Sequence, residues 1–253
     1  ISAKRDQGKV LFLDVCDSTG TIQAVVEEQR VGQIQFNLVK ATPVESAVAI
    51  DGVINTGNSR HEVNVRRFYL VGGVNKQVSP NPRGDIDILD EKLTDQLQNN
   101  RHLYLRYPKV MAILKLRDTI MMYTRQWFRE NRFVAIDAPI LTPVLLYEDR
   151  TAIPVTVHGE NVFLTQCVGY YLEAAVHAFE RVYNMGPSFR NEESRSRRHL
   201  LEYWHIKAEV AWANLDDIIS LVESLMKYII EHSRAELEDT SKMLERSACF
   251  DGI

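Results

Sequence analysis

Residues 181–213 read RVYNMGPSFRNEESRSRRHLLEYWHIKAEVAWA, and the fold of the chain turns on this stretch. At a period of two residues it divides into two strands joined by a charged loop. In the first arm Tyr183, Met185, Pro187 and Phe189 share one face, while Asn184, Gly186, Ser188, Arg190 and Glu192 share the other. In the second arm Trp204, Ile206, Ala208, Val210 and Trp212 alternate with Tyr203, His205, Lys207, Glu209 and Ala211. The antiparallel pair thus has an apolar face and a face bearing arginine, carboxylates, histidine and an aromatic ring. The loop Ser194-Arg195-Ser196-Arg197-Arg198-His199 brings three arginines within reach of that polar face. A planar guanidinium fork suits phosphate oxygens, and a ring on the same face can stack on a base. The pattern fits a cradle for a nucleoside triphosphate built without a P-loop. A solvated edge hairpin with a charged turn shows the same alternation.

Three segments sharpen the reading. FRNEES (189–194), RRHLLEY (197–203) and IKAE (206–209), in this order, resemble motif 2 of the class II aminoacyl-tRNA synthetases. The variant is that of the aspartyl and asparaginyl branch. The resemblance implies ATP, with Mg2+, as co-substrate. It gives Arg190 the α-phosphate and the central catalytic role, and Glu192 the adenine end. Arg198 and His199 then reach the outer phosphates, and Tyr203 stacks on adenine.

Composition is compatible with an enzyme of this kind. The 253 residues suffice for one large or two modest domains. The apolar share of 45% and charged share of 25% are those of an ordinary globular protein. No apolar run approaches the ~20 residues of a membrane span, and no signal peptide is visible, so a cytoplasmic protein is expected. Cys16, Cys167 and Cys249 are far apart and show no zinc-ligand spacing, which points to reduced thiols and no metal held by cysteine. The formal charge of −4 argues against indiscriminate nucleic-acid binding, yet a local basic surface suffices for tRNA. The chain opens in mid-strand without Met and stops abruptly after Phe250, so further sequence is expected at both ends.

The expected fold is α+β, an N-terminal OB-type β-barrel followed by a class II synthetase-like antiparallel sheet flanked by helices. Residues 9–15 and 21–26 are strand-like runs around the turn residues Asp17-Ser18-Thr19-Gly20. Further strands are predicted at 31–39, 47–54 and 61–71, a spacing that suits a small barrel. LFLDVCDSTGTIQAVV (11–26) resembles the second and third strands of the anticodon-reading barrel in this branch. The resemblance implies that Phe12 stacks on an anticodon base and that Gln23 hydrogen-bonds it. Cys16 departs from the arginine usual there. Phe12 as a barrel-core ring is the plainer alternative.

The domains are expected at 1–77, for the barrel, and 99–253, for the catalytic part, with a Pro- and Gly-containing linker over 78–98 that settles into a short helix near 90–98. NRHL (100–103) resembles the entry to the catalytic domain. A helix is predicted over 109–131, with Ile113, Leu116, Ile120, Thr124 and Trp127 on one stripe. With the strand FVAIDAPIL (133–141) it resembles motif 1, which implies a homodimer. A hairpin is expected from 153–157 and 161–166 around His158-Gly159-Glu160, then a helix over 169–183 burying Leu172, Val176, Phe179 and Val182. A last helix starts after the N-cap Asn214, with a wide apolar face from Leu215 to Ile230.

The departures from the family are equally specific. No GxGxGxxR stretch, the family's motif 3, occurs in these residues. The glycine-rich loop after motif 1 is replaced by LLYEDRT (145–151). The family's LTQSxQLY appears as LTQCVGYY (164–171), which keeps Gln166 and Tyr171 and puts Gly169 at the second Gln. Lys207 stands where the family has an acid. The resemblance places Gln166, Gly169, Tyr171 and Lys207 in the amino-acid pocket. Two like charges about 4 Å apart at an effective dielectric of ~20 repel by roughly 4 kcal/mol, so Lys207 facing that pocket opposes an α-ammonium; paired with Glu209 or Glu173 it is structural. Leu172-Glu173 after Tyr171 is the asparaginyl pattern. The expected activity is ATP-dependent activation of an amino-acid carboxylate as an acyl-adenylate and transfer to tRNA. A paralogue that activates another acid or forms an amide, and a non-catalytic relative that binds tRNA, a nucleotide or a protein, remain as rivals.

Overall fold

The computed structural model describes residues 1–56, 61–74, 99–145, 147, 149–192 and 199–245. The linker and short helix expected within 78–98 lie outside these residues. The chain divides into two compact units, Ile1–Met111 and Ala112–Ile253.

In the first unit, strands β1 (Ala3–Asp6), β2 (Val10–Cys16), β3 (Thr21–Glu27), β4 (Ala47–Asn55) and β5 (Glu62–Gly72) form one sheet in the order β1-β2-β3-β5-β4. All pairings are antiparallel except β3 with β5. Glu45 N donates to Ile1 O at 2.8 Å, which draws the two free edges together into a barrel. Alternation decides what lies inside: Leu11, Leu13, Val26, Val65 and Phe68 are buried together, whereas Phe12 and Asp14 point away. The β2–β3 turn is held by the Asp17 carboxylate, which accepts from Thr19 N at 2.7 Å and Thr19 Oγ1 at 2.6 Å. At a register shift in β4, a Cβ on Gly52 would sit 2.5 Å from Asn64 O, so only glycine fits there.

The strand expected at 31–39 is a helix. A short turn α1 (Glu28–Val31) leads through Gly32 (φ 80°) into α2 (Gln33–Ala41). A strand would put Ile34, Phe36 and Leu38 on one face. Instead Phe36 and Val39, one helical turn apart, are buried against the barrel core, while Ile34 is 89% exposed.

After the turn α3 (Arg101–Tyr104), the helix expected at 109–131 is α4 (Pro108–Glu130). In the second unit, β10 (Arg181–Phe189) and β11 (Glu202–Val210) form the expected antiparallel pair, in register from Arg181↔Val210 to Phe189↔Glu202. The strand foreseen at 133–141 shrinks to β6 (Val134–Ala135), parallel to β10, and β7 (Leu141–Thr142). β7 joins the hairpin β8 (Ile153–Val157) and β9 (Glu160–Leu164) in a second sheet. His158 and Gly159 both have positive φ, the signature of a tight two-residue hairpin turn.

Helix α5 (Gly169–Phe179) ends four residues before Tyr183, the limit predicted for it. Glu180 turns to φ 61° and Arg181 begins β10. Val182 is therefore buried as a strand residue beneath Leu172, and Phe179 is exposed. The other face of β10 packs on Trp127, Phe128 and Phe133, with Phe128 stacked on Tyr183 at 4.2 Å between centroids. The apolar face of the hairpin is covered only at this end: Trp204 and Ile206 are exposed, and Trp212 lies past the strand with φ 63° and 94% exposure.

Helix α6 (Leu215–His232) starts at a capping box in which Asn214 and Asp217 exchange hydrogen bonds. Leu221, Leu225 and Tyr228 pack on the aromatic cluster, while Ile219, Val222 and Met226 of the same helix stay exposed. A further helix, α7 (Arg234–Met243), follows where the apolar pattern faded. Among the described residues no helix is long and apolar enough to cross a membrane.

Candidate active site

The polar face of β10 and β11 becomes a trough because of how its end is fastened. Phe189 N donates to Thr165 O at 2.9 Å, Arg190 N to Leu201 O at 3.0 Å and Asn191 N to Thr151 O at 2.9 Å. These bonds tie the end of β10 to the segment after β9 and to the turn Asp149–Thr151. Arg190, Glu192, His199, Leu200, Leu201 and Tyr203 line a cleft of about 490 Å³ there. The Arg190 guanidinium is ion-paired with Glu192 and lies 5.8 Å from the centre of the Tyr147 ring. A partly exposed guanidinium oriented by a carboxylate and a ring offers a directed fork to a phosphate. Tyr203 and His205 follow on the floor, with ring centres 5.9 Å apart. Ser188 Oγ lies 3.5 Å from His205 Nδ1.

Thr142, Tyr147, Thr151, Gln166 and Tyr171 stand in the side wall. Tyr147 N donates to Gln166 Oε1 at 3.3 Å, and Gln166 Nε2 donates to Thr151 Oγ1 at 2.8 Å, so the Gln166 amide is held at both ends. The Tyr171 and Thr142 hydroxyls are 3.1 Å apart. Gly169 opens α5 and is buried. Lys207 on β11 extends toward this wall, its Nζ 3.6 Å from Cys167 Sγ and 3.8 Å from Glu209 Oε1.

Two titrating groups are shifted. Burial, and next the Lys207 ammonium, hold the His205 imidazole below its usual value and favour the neutral ring. Cys167 chiefly, then burial, push the Tyr147 phenol up, against a smaller opposing effect of Lys207.

A family profile described as "tRNA synthetases class II (D, K and N)" matches residues 94–251. The chain belongs to this family. A second profile, "OB-fold nucleic acid binding domain", matches residues 1–71. The asparagine–tRNA ligase of Pelotomaculum thermopropionicum is 36% identical over 245 residues, covering 96% of this chain and 54% of the relative. That of Pyrococcus horikoshii is 34% identical over 229 residues, 89% of this chain and 51% of the relative. The crystal structure of the Pyrococcus horikoshii asparaginyl-tRNA synthetase complexed with asparaginyl-adenylate superposes with a TM-score of 0.87 at 31% identity, over 96% of this chain and 55% of that one. The chain thus spans about half the length of the curated relatives it matches.

In this class II synthetase chain, Arg190, Glu192, His199 and Tyr203 come together in one cleft. Arg198 lies outside the described residues. Gln166 is linked to Arg190 through Tyr147, and Lys207 contacts Cys167. Tyr147, Thr151 and Cys167 also stand beside these residues, without a motif that marks them. Tyr147 carries no local signal, since its contacts with Arg190 and Gln166 arise only when the two sheets meet. In the OB-fold domain, Phe12 faces outward with the Arg5 guanidinium 5.8 Å from its ring centre. Gln23, with its amide oxygen toward Arg5, accepts from that guanidinium and donates to Glu62 Oε1 at 2.9 Å. Register places Arg5 opposite Phe12 and Gln23 opposite Glu62, so all four share the outer face of the barrel sheet.

Proposed function

We propose that this protein is an ATP-dependent ligase of the asparaginyl-tRNA synthetase type, which activates a carboxylic acid as its acyl-adenylate and passes the acyl group to tRNA. The observation that carries the reading is the cleft in which Arg190, Glu192, His199 and Tyr203 converge. In the first step a carboxylate oxygen attacks the α-phosphorus of ATP, and the bond to the bridging oxygen breaks as pyrophosphate leaves. The carboxylate is already a nucleophile, so the protein needs to position it and neutralise charge rather than supply a base. Arg190 holds the α-phosphate, Glu192 fixes the Arg190 fork and the adenine end, and Tyr203 stacks on the base. Magnesium in this reading arrives on the nucleotide's phosphates; among the described residues no group of three His, Cys, Asp or Glu side chains could hold a metal ion by itself. In the second step a hydroxyl of the tRNA 3′ end attacks the acyl carbon and AMP leaves. Phe12 and Gln23, on the outer face of the barrel, read the anticodon.

The same reading places the protein in the cytoplasm, with residues 1–77 as the anticodon domain, 99–253 as part of the catalytic domain, and a homodimer formed through 110–141. Ile113, Leu114, Met122, Ile140 and Leu141 support the dimer, being apolar and exposed within that region. The test is ATP–pyrophosphate exchange by the full-length protein. Arg190→Ala is expected to lower exchange about 10²–10³-fold, as for loss of one transition-state donor, with the fold intact because Arg190 is half-exposed. Exchange at the parental rate in that variant would refute the assignment.

A further inference from the structure

Lys207 is a weakly satisfied charge on the trough. An ammonium carries three donors. Those of Lys207 meet a cysteine sulfur, a weak acceptor, at 3.6 Å, and the Glu209 carboxylate at 3.8 Å. Charge-assisted N–H···O bonds close to about 2.7–2.9 Å, so Glu209 balances the charge without taking up the donors. The side chain is only 31% exposed, so water hydrates it in part. Among the described residues, Cys167 and Glu209 are the partners shown for its ammonium, and the neighbouring His205 is held toward its neutral form.

A second cation defines the direction of a ligand. The Tyr147 ring has the Arg190 guanidinium over it, and Cys167 is hydrogen-bonded to the Tyr147 hydroxyl and contacted by Lys207. Arg190 and Lys207 therefore flank a single tyrosine side chain. A short molecule lying along Tyr147 meets a guanidinium at one end and an ammonium at the other. Like charges repel and opposite charges attract most where water is scarce, so the Lys207 end disfavours an ammonium and favours an anion.

We infer that Lys207 is a specificity-determining anion seat and that the acid activated here is a short dicarboxylate, one carboxylate reacting beside Arg190 and the second resting on Lys207. The inference builds on the ligase reading above. Asparagine, which puts an ammonium near its reacting carboxylate, is then a poor substrate.

The experiment measures binding and exchange separately on the full-length protein. Isothermal titration with succinate, glutarate, butyrate and asparagine, in the presence of a non-hydrolysable ATP analogue, is paired with ATP–pyrophosphate exchange on the same acids. Succinate or glutarate is expected to bind at least tenfold tighter than butyrate, which lacks the second anion. Lys207→Met is expected to erase that difference while leaving affinity for the ATP analogue unchanged, and Lys207→Gln serves if the first variant folds poorly. Lys207→Glu is expected to reverse the preference toward asparagine. Asparagine activated as well as the dicarboxylates, or a preference that survives Lys207→Met and Lys207→Gln, would overturn the seat while leaving the ligase reading standing. Wild-type protein that binds no ATP analogue would instead overturn the ligase reading, and dicarboxylate binding lost in Lys207→Met would still support the seat. Failure of all four acids to bind would count against the seat.

Discussion

The aromatic cluster beneath β10 sets the position of the trough, and Phe128 is its centre. Phe128 is 1% exposed, stacks on Tyr183 and meets Phe133 and Trp127 edge-on with ring centres 5.0 and 5.2 Å away. Replacing it with alanine removes at least about 150 Å² of buried surface, which at ~25 cal/mol per Å² is about 4 kcal/mol, within the usual range of roughly 3–5 for such a change. With an m-value of about 2 kcal/mol per M, the urea midpoint falls by about 2 M. The assay is specific to this unit, because Trp127, Trp204 and Trp212 all follow Met111 and tryptophan fluorescence therefore reports the second unit alone. Phe128→Leu keeps most of the volume and is expected to cost less than about 1.5 kcal/mol. A loss below about 1.5 kcal/mol for Phe128→Ala, or equal losses for both variants, would show that the cluster does not carry the packing assigned to it.

In the barrel, Gly52→Ala is expected to destabilise by about 1–3 kcal/mol, because the added Cβ meets the Asn64 carbonyl; unchanged amide exchange in β4 and β5 would contradict this. The depressed His205 pKa means that the unfolded chain takes up a proton first. This residue's contribution to stability is thus full at neutral pH and declines as pH falls through about 6.5 toward the folded value, where it levels off. Lys207→Met removes one cause of the depression and should raise the His205 titration midpoint in an NMR pH series, and an unmoved midpoint would refute the electrostatic link.

Much of this was legible in the sequence where one face of an element is buried. Leu11 and Leu13 alternate with Phe12 and Asp14, and the chain obeys the alternation. Segment 31–39 was misleading because its apolar residues satisfy both a period of two and a helical turn, and only the barrel core selects Phe36 and Val39. The end of α5 was hidden since Val182 is apolar on either reading, and Glu180 breaks the helix by a left-handed turn that no glycine announces. Trp212 looked like one more inward residue of β11, but the strand stops at Val210. That Arg190, Glu192 and Tyr203 lie close together was readable from their order along a hairpin. The placement of Tyr147, Thr151 and Cys167 beside them was not, as it depends on contacts between distant segments.

The three amide bonds that fasten the end of β10 also have a mechanical consequence. Phe189, Arg190 and Asn191 are riveted, one after another, to three different stretches of backbone. Such a joint transmits displacement. If a ligand draws the Arg190 end of β10 inward, Thr165 and Thr151 travel with it, and the Gln166 amide clasped by Thr151 is carried along. The two ends of the trough therefore tighten or loosen as one body, so that a molecule seated beside Arg190 also stiffens the wall a residue away from Cys167.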